Sequence, residues 1–126
     1  MLRKKIFRET VEEKGTTYLA TMLEMKNAYI FLLSEGEEKL GTLAVSVPQR
    51  PGMVGPPLSS VLLGERNSML SRMLAESLAR RLGKIILLSI FTRHEAGRKV
   101  SHIFLSLLDK LLKKAETGDE PQNLLE

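Results

Sequence analysis

LSSVLLGERNSMLSRMLAESLARRLGKIILLSIF, residues 58–91, decides the fold. Leu58–Leu63 reads as a short strand that stops at Gly64. Asn67 or Ser68 stands where a side chain can cap a helix by accepting a backbone N–H. Met69, Leu70, Met73, Leu74, Leu78 and Leu82 then recur at helical spacing and form one apolar stripe. Glu76 and Arg80 are four apart in the favourable order. Arg80 and Arg81 lie in the last turn, where positive charge suits the helix dipole. Gly83 ends the helix as a left-handed residue. Lys84–Phe91 follows as a buried strand. If the two strands pair, the connection is a parallel, right-handed crossover.

Upstream, the chain reads as a β-meander. Lys4–Glu12 is a strand with Phe7 and Val11 on one face. Lys14-Gly15 makes a turn. Thr16–Met25 alternates Leu19, Leu23 and Met25 against Tyr18, Ala20 and Met22. Both faces are partly apolar, which predicts cover on both sides. Ala28–Leu33 is a continuous apolar strand. Lys39–Val47 alternates, with Leu43, Val45 and Val47 expected inward. PQRPGMVGPP, residues 48–57, holds four of the five prolines, which excludes helix and central strand. It is a stiff loop with Met53 and Val54 at its tip. Those two side chains either fold back or meet a partner.

Downstream, Val100, Ile103, Phe104, Leu107, Leu108, Leu111 and Leu112 mark a second helix. Periodicity is lost after Ala115. The order of elements predicts an α+β fold: about six mostly antiparallel strands, as a sheet or β-sandwich, flanked by two helices. Residues 1–115 form one domain, and 116–126 form a flexible acidic tail.

The 126 residues carry a formal charge of +4, but four of the fifteen acids lie in 116–126, where there is no Lys or Arg. The body is therefore more basic than the whole and favours anionic partners. There is no Cys, hence no disulfide and no Cys-based metal site. A cytoplasmic location fits. MLRKKIF lacks the apolar core of a signal peptide, and the longest apolar runs are too short to span a bilayer.

Catalytic constellations are missing. His94 and His102 fit no H-E-x-x-H or H-x-x-x-H spacing. His94 and Glu95 are sequence neighbours, which do not face each other on regular structure. Gly83-Lys84 follows a helix and opens a strand, the reverse of a phosphate-binding loop. Ser59 and Ser60 lack a nucleophile-elbow context. The reading is a non-enzyme without cofactor or metal, working through its surfaces. Arg72, Arg80, Arg81, Lys84, Arg93, Arg98 and Lys99 form a basic set that allows an alternative, a nucleic-acid-binding module using the 68–82 helix and the 93–99 linker. Aromatic content of 5% leaves few stacking platforms and disfavours it.

Residues 58–91 resemble the proteasome assembly chaperone 4 family. The shared pattern is a Ser-containing apolar strand, Leu62-Leu63-Gly64-Glu65, a polar cap, LAxxLARRLGK at Leu74–Lys84 and a hydrophobic strand. KLGTLAVSVP at Lys39–Pro48 extends it upstream. The resemblance implies a small β-sandwich-like domain with helices that assists assembly of the proteasome α-ring. It implies action as a homodimer or in a hetero-oligomer with another assembly-chaperone homologue, with proteasome α subunits as possible clients. It also points to the Gln49–Pro57 loop as a contact. The Cys-free, Lys/Arg/Glu-rich composition suits an archaeal version. Other assembly factors carry a hydrophobic–tyrosine–any tail; here the chain reads Leu124-Leu125-Glu126, so that role is not carried over. The candidate partner-binding residues are Met53, Val54, Arg72, Arg80 and Arg81.

Overall fold

The computed structural model describes residues 5–55 and 57–117. In chain order the elements are β1 (Lys5–Glu13), β2 (Thr16–Glu24), β3 (Ala28–Glu35), β4 (Thr42–Val47), β5 (Leu58–Leu63), α1 (Ser68–Leu82), β6 (Ile85–Phe91) and α2 (Arg98–Glu116). The expected α+β class holds. The six strands form one sheet in the order β1-β2-β3-β6-β4-β5. Every pairing is antiparallel except β3 with β6. β5 and β6 are therefore not neighbours, because β4 lies between them; the parallel pair joins the meander to β6 instead.

The register shows which side is covered. Phe7, Met22, Phe31, Leu88 and Ala44 stand opposite one another across five strands. All five belong to one core with Leu74, Ala75 and Leu78 of α1 and Phe104, Leu107 and Leu111 of α2. Both helices thus pack on the same face, α1 over β4, β5 and β6, and α2 over β1 and β2. Tyr18 meets Phe104 edge to face, with centroids 5.9 Å apart. Burying a side chain such as Phe31 or Met22 contributes about 1.5–3 kcal/mol each.

The expected face of β4 is reversed, and that of α1 is rotated, keeping Leu70, Leu74, Leu78 and Leu82 on the core side but not the two methionines. In β4 it is Thr42, Ala44 and Ser46 that are buried under α1, while Leu43, Val45 and Val47 point to the other side. In α1 the buried residues are Ser71, Leu74, Ala75, Leu78 and Ala79, and Met69 and Met73 are exposed. The reason is common to both. Ser71, Ala75 and Ala79 lie one turn apart and face the small side chains of β4, so helix and sheet approach closely. The bulkier Met69, Met73, Leu43 and Val45 are displaced from that contact.

The motif glycines serve the same closeness. A Cβ on Gly41 would fall 2.0 Å from the Ile90 carbonyl oxygen, and one on Gly64, at φ 91°, would fall 2.6 Å from Thr42 Oγ1. Gly41 N–H donates to Ser89 Oγ rather than to a ladder carbonyl, so β4 begins at Thr42 and not at Lys39. Gly83, at φ 69°, closes α1 by donating to the Ala79 carbonyl. Asn67 precedes α1 but does not cap it with its side chain. α2 runs through Glu116 into the expected tail; residues 118–126 lie outside the described residues.

Candidate protein-interaction surface

No helix packs on the second face of the sheet among the described residues. Across it run Ile6, Leu23, Ile30, Leu87, Val45 and Ser60, one from each strand in successive register. Leu19, Leu32, Leu43 and Phe91 flank that row and are half-buried. Towards the β5 edge the apolar side chains are more exposed: Val47, Leu62 and Leu58, the last at 74%. β2 signalled this in sequence, since both its faces are apolar. The cover predicted for the second face is present at one end only, where the 36–41 connection crosses it and buries Thr21, Ser34 and Ser89, bonding through Glu38, Lys39 and Gly41. No helix adds to it, because both helices are spent on the first face. An apolar patch of this kind on a protein surface is a candidate contact surface.

The β4–β5 loop leaves this face at one end of the sheet. Its tip does not fold back: Met53 is 61% exposed and Val54 95%. β4 runs antiparallel to β6, so the loop emerges at the end where β6 begins. The C-terminus of α1 arrives at that end too, so Arg80 and the loop are at the same end of the sheet. Arg72 and Arg81 are already engaged. Arg72 Nε donates to Ser59 Oγ at 3.1 Å, and Ser59 Oγ donates to Glu76. Arg81 pairs with Asp109 of α2 at 3.6 Å. Glu76 is thus turned towards β5. Exposed Met69 (74%) and Met73 (60%) lie beside Arg72 and Glu76, an apolar addition the stripe pattern had assigned to the core.

The basic set does not form a strip. Arg80, Arg81 and Lys84 sit where β6 begins, and Arg93, Arg98 and Lys99 beyond its far end. Seven residues of strand separate the two groups by about 20 Å. Lys84 stacks its ammonium over Tyr29, 5.0 Å from the ring centre. Glu95 is no partner of His94; its carboxylate accepts the backbone N–H of Asn67 at 2.7 Å. Among the described residues no cluster of three or more His, Cys, Asp or Glu could hold a metal. Among the described residues no helix is long and apolar enough to cross a membrane.

Residues 16–90, which span β2 to all but the last residue of β6, match the sequence profile of the proteasome assembly chaperone 4 family. The chain belongs to that family. The proteasome assembly chaperone 4 match thus includes the β4 glycine motif, the β4–β5 loop and all of α1, and ends before α2. A chain from a crystal structure of a novel chaperone complex for yeast 20S proteasome assembly has the same fold. Its identity is 16%, its TM-score 0.60, and the alignment covers 90% of this chain and 96% of that one. No curated protein matches the sequence.

Proposed function

We propose that this chain is a non-enzymatic chaperone of proteasome assembly that works as a dimer. The pairing surface in this reading is the helix-free sheet face, and its occupant is a second sheet of the same kind, most simply a second copy. The observation that carries it is the half-buried apolar row from Leu23 through Ile30 and Leu87 to Val45, continued by exposed Leu58 and Leu62 at the edge. Two such faces packed about 10 Å apart would bury each other and complete a sandwich. Membership of the family, and a neighbour that is part of a chaperone complex, support a partner of this type.

The client is a proteasome α subunit. It is engaged by Met53 and Val54 as apolar anchors, with Arg80 steering and Arg72 and Arg81 framing the surface. Native mass spectrometry tests both halves. The purified chain should give a discrete dimer, and mixing with recombinant α subunits should give a defined complex. A monomer at tens of micromolar would overturn the pairing, and failure to retain any α subunit would overturn the client. Capture of nucleic acid alone would favour the basic-module reading instead.

A further inference from the structure

A second surface lies on the helix side, away from the apolar sheet face. α2 and β1 do not close against each other along their whole length. Between them is an open groove of about 520 Å³. Its floor is apolar, made by Val11, Ile103 and Leu107. Its rim is cationic, with Arg98, Lys99 and Lys110 along α2, and Glu13 is the acid among its lining residues. Among the described residues no carboxylate pairs with Arg98, Lys99 or Lys110. β1 forms the other wall and is an edge strand, paired with β2 alone. The first half of that edge is stoppered by Lys114, whose Nζ donates to the Arg8 carbonyl at 3.1 Å and pairs with Glu9 at 2.8 Å. The second half, Thr10–Glu13, runs beside the groove.

These features select a ligand. Unpaired strand edges recruit extended backbone, a neighbouring pocket takes an alternate side chain, and a cationic rim prefers acids. We propose that an acidic peptide segment of a partner protein adds as a strand to the second half of β1. One apolar side chain sits between Val11, Ile103 and Leu107, and flanking carboxylates meet Arg98, Lys99 and Lys110. The site is on the opposite face from the pairing surface, so either proposal can fail without the other.

The test is fluorescence anisotropy of the full chain with a fluorescein-labelled nonapeptide, Glu-Asp-Thr-Val-Leu-Val-Thr-Asp-Glu. Saturable binding is expected, lost when Val-Leu-Val becomes Ser-Ser-Ser and lost when alternate peptide nitrogens are methylated, which removes strand hydrogen bonds but keeps the side chains. Lys99→Glu with Lys110→Glu, both exposed and outside the core, should weaken binding about tenfold or more. No binding by the unmodified peptide overturns the proposal. So does binding that survives methylation, or binding indifferent to the charge reversal. Binding seen only in a Leu124→Ser, Leu125→Ser variant would also overturn it, by giving the groove to the chain's own acidic segment.

Discussion

Asn67 and Thr92 hold each other at 2.8 Å, Nδ2 to Oγ1, with both residues almost fully buried. Asn67 Oδ1 also accepts the Ala96 N–H at 2.7 Å, and its backbone sits at φ 63°. The entry to α1 and the β6–α2 connection are thereby one clasp. Asn67→Ala removes both of these side-chain hydrogen bonds and leaves in the left-handed region a residue that tolerates it less well than asparagine. It should lower stability by about 2–4 kcal/mol. Asn67→Gly, which keeps the backbone relaxed, should recover about 1 kcal/mol of that. Urea midpoints check both, and an unchanged midpoint for Asn67→Ala would refute the clasp.

Gly41 and Gly15 make a paired comparison. Gly41→Ala drives a methyl into the Ile90 backbone and should cost about 3 kcal/mol or more, or prevent soluble expression. Gly15→Ala meets open space and pays only for its φ of 81°, about 1 kcal/mol. Thermal unfolding of the two variants should rank them in that order.

Val45 and Leu87 are opposite neighbours on the helix-free face. Val45→Asp with Leu87→Asp should shift the monomer–dimer equilibrium by about 30-fold or more towards monomer, the loss of a central apolar anchor pair. Sedimentation velocity reads this directly, and an intact dimer would place the pairing surface elsewhere.

Met53→Asp with Val54→Asp alters exposed loop residues and should leave stability within about 0.5 kcal/mol. Retention of α subunits should nevertheless be abolished. Unchanged retention in a pull-down would remove the loop from the contact.

Tyr29 and Tyr18 ionise above their ordinary value of 10.0. Burial is the main cause for both. The Glu24 carboxylate adds to it at Tyr29, and Glu35 and Glu13 at Tyr18. The folded chain holds these protons more tightly than the unfolded chain. The stabilisation is complete below the unfolded value and is lost as pH rises through the folded values. Stability should therefore fall as the solution passes about pH 10, and Tyr29→Phe should flatten that alkaline limb. Denaturant titrations at successive pH values, with tyrosinate absorbance as a second readout, check the sign.

Periodicity and glycine placement made the elements legible. The bounds of β5, the stop of α1 at Gly83 and the stripe of α2 all follow from local chemistry. What local chemistry does not encode is which of two apolar faces receives a helix. In β4 the larger residues, Leu43 and Val45, looked like the inner set. The decision was made by Ser71, Ala75 and Ala79, thirty residues away in sequence, whose small size brings α1 close and reserves the space for Ala44 and Ser46. Asn67 was read as a cap because its position permits one; Thr92 and Ala96, distant in the chain, compete for its amide and win. Of the candidate surface, the loop and the arginines could be named from sequence. The apolar second face was visible in β2, but that no helix would cover it was not, since exposure is a property of the assembled sheet.

The parallel pairing of β3 with β6 sets an order of events during synthesis. β3 is complete once Glu35 has left the ribosome, but its partner strand ends only at Phe91. In the interval the nascent meander presents Ala28–Leu33 as an open, apolar edge with nothing to zip to. Slower synthesis of residues 36–91 should therefore lengthen the time for which that edge is open to wrong partners.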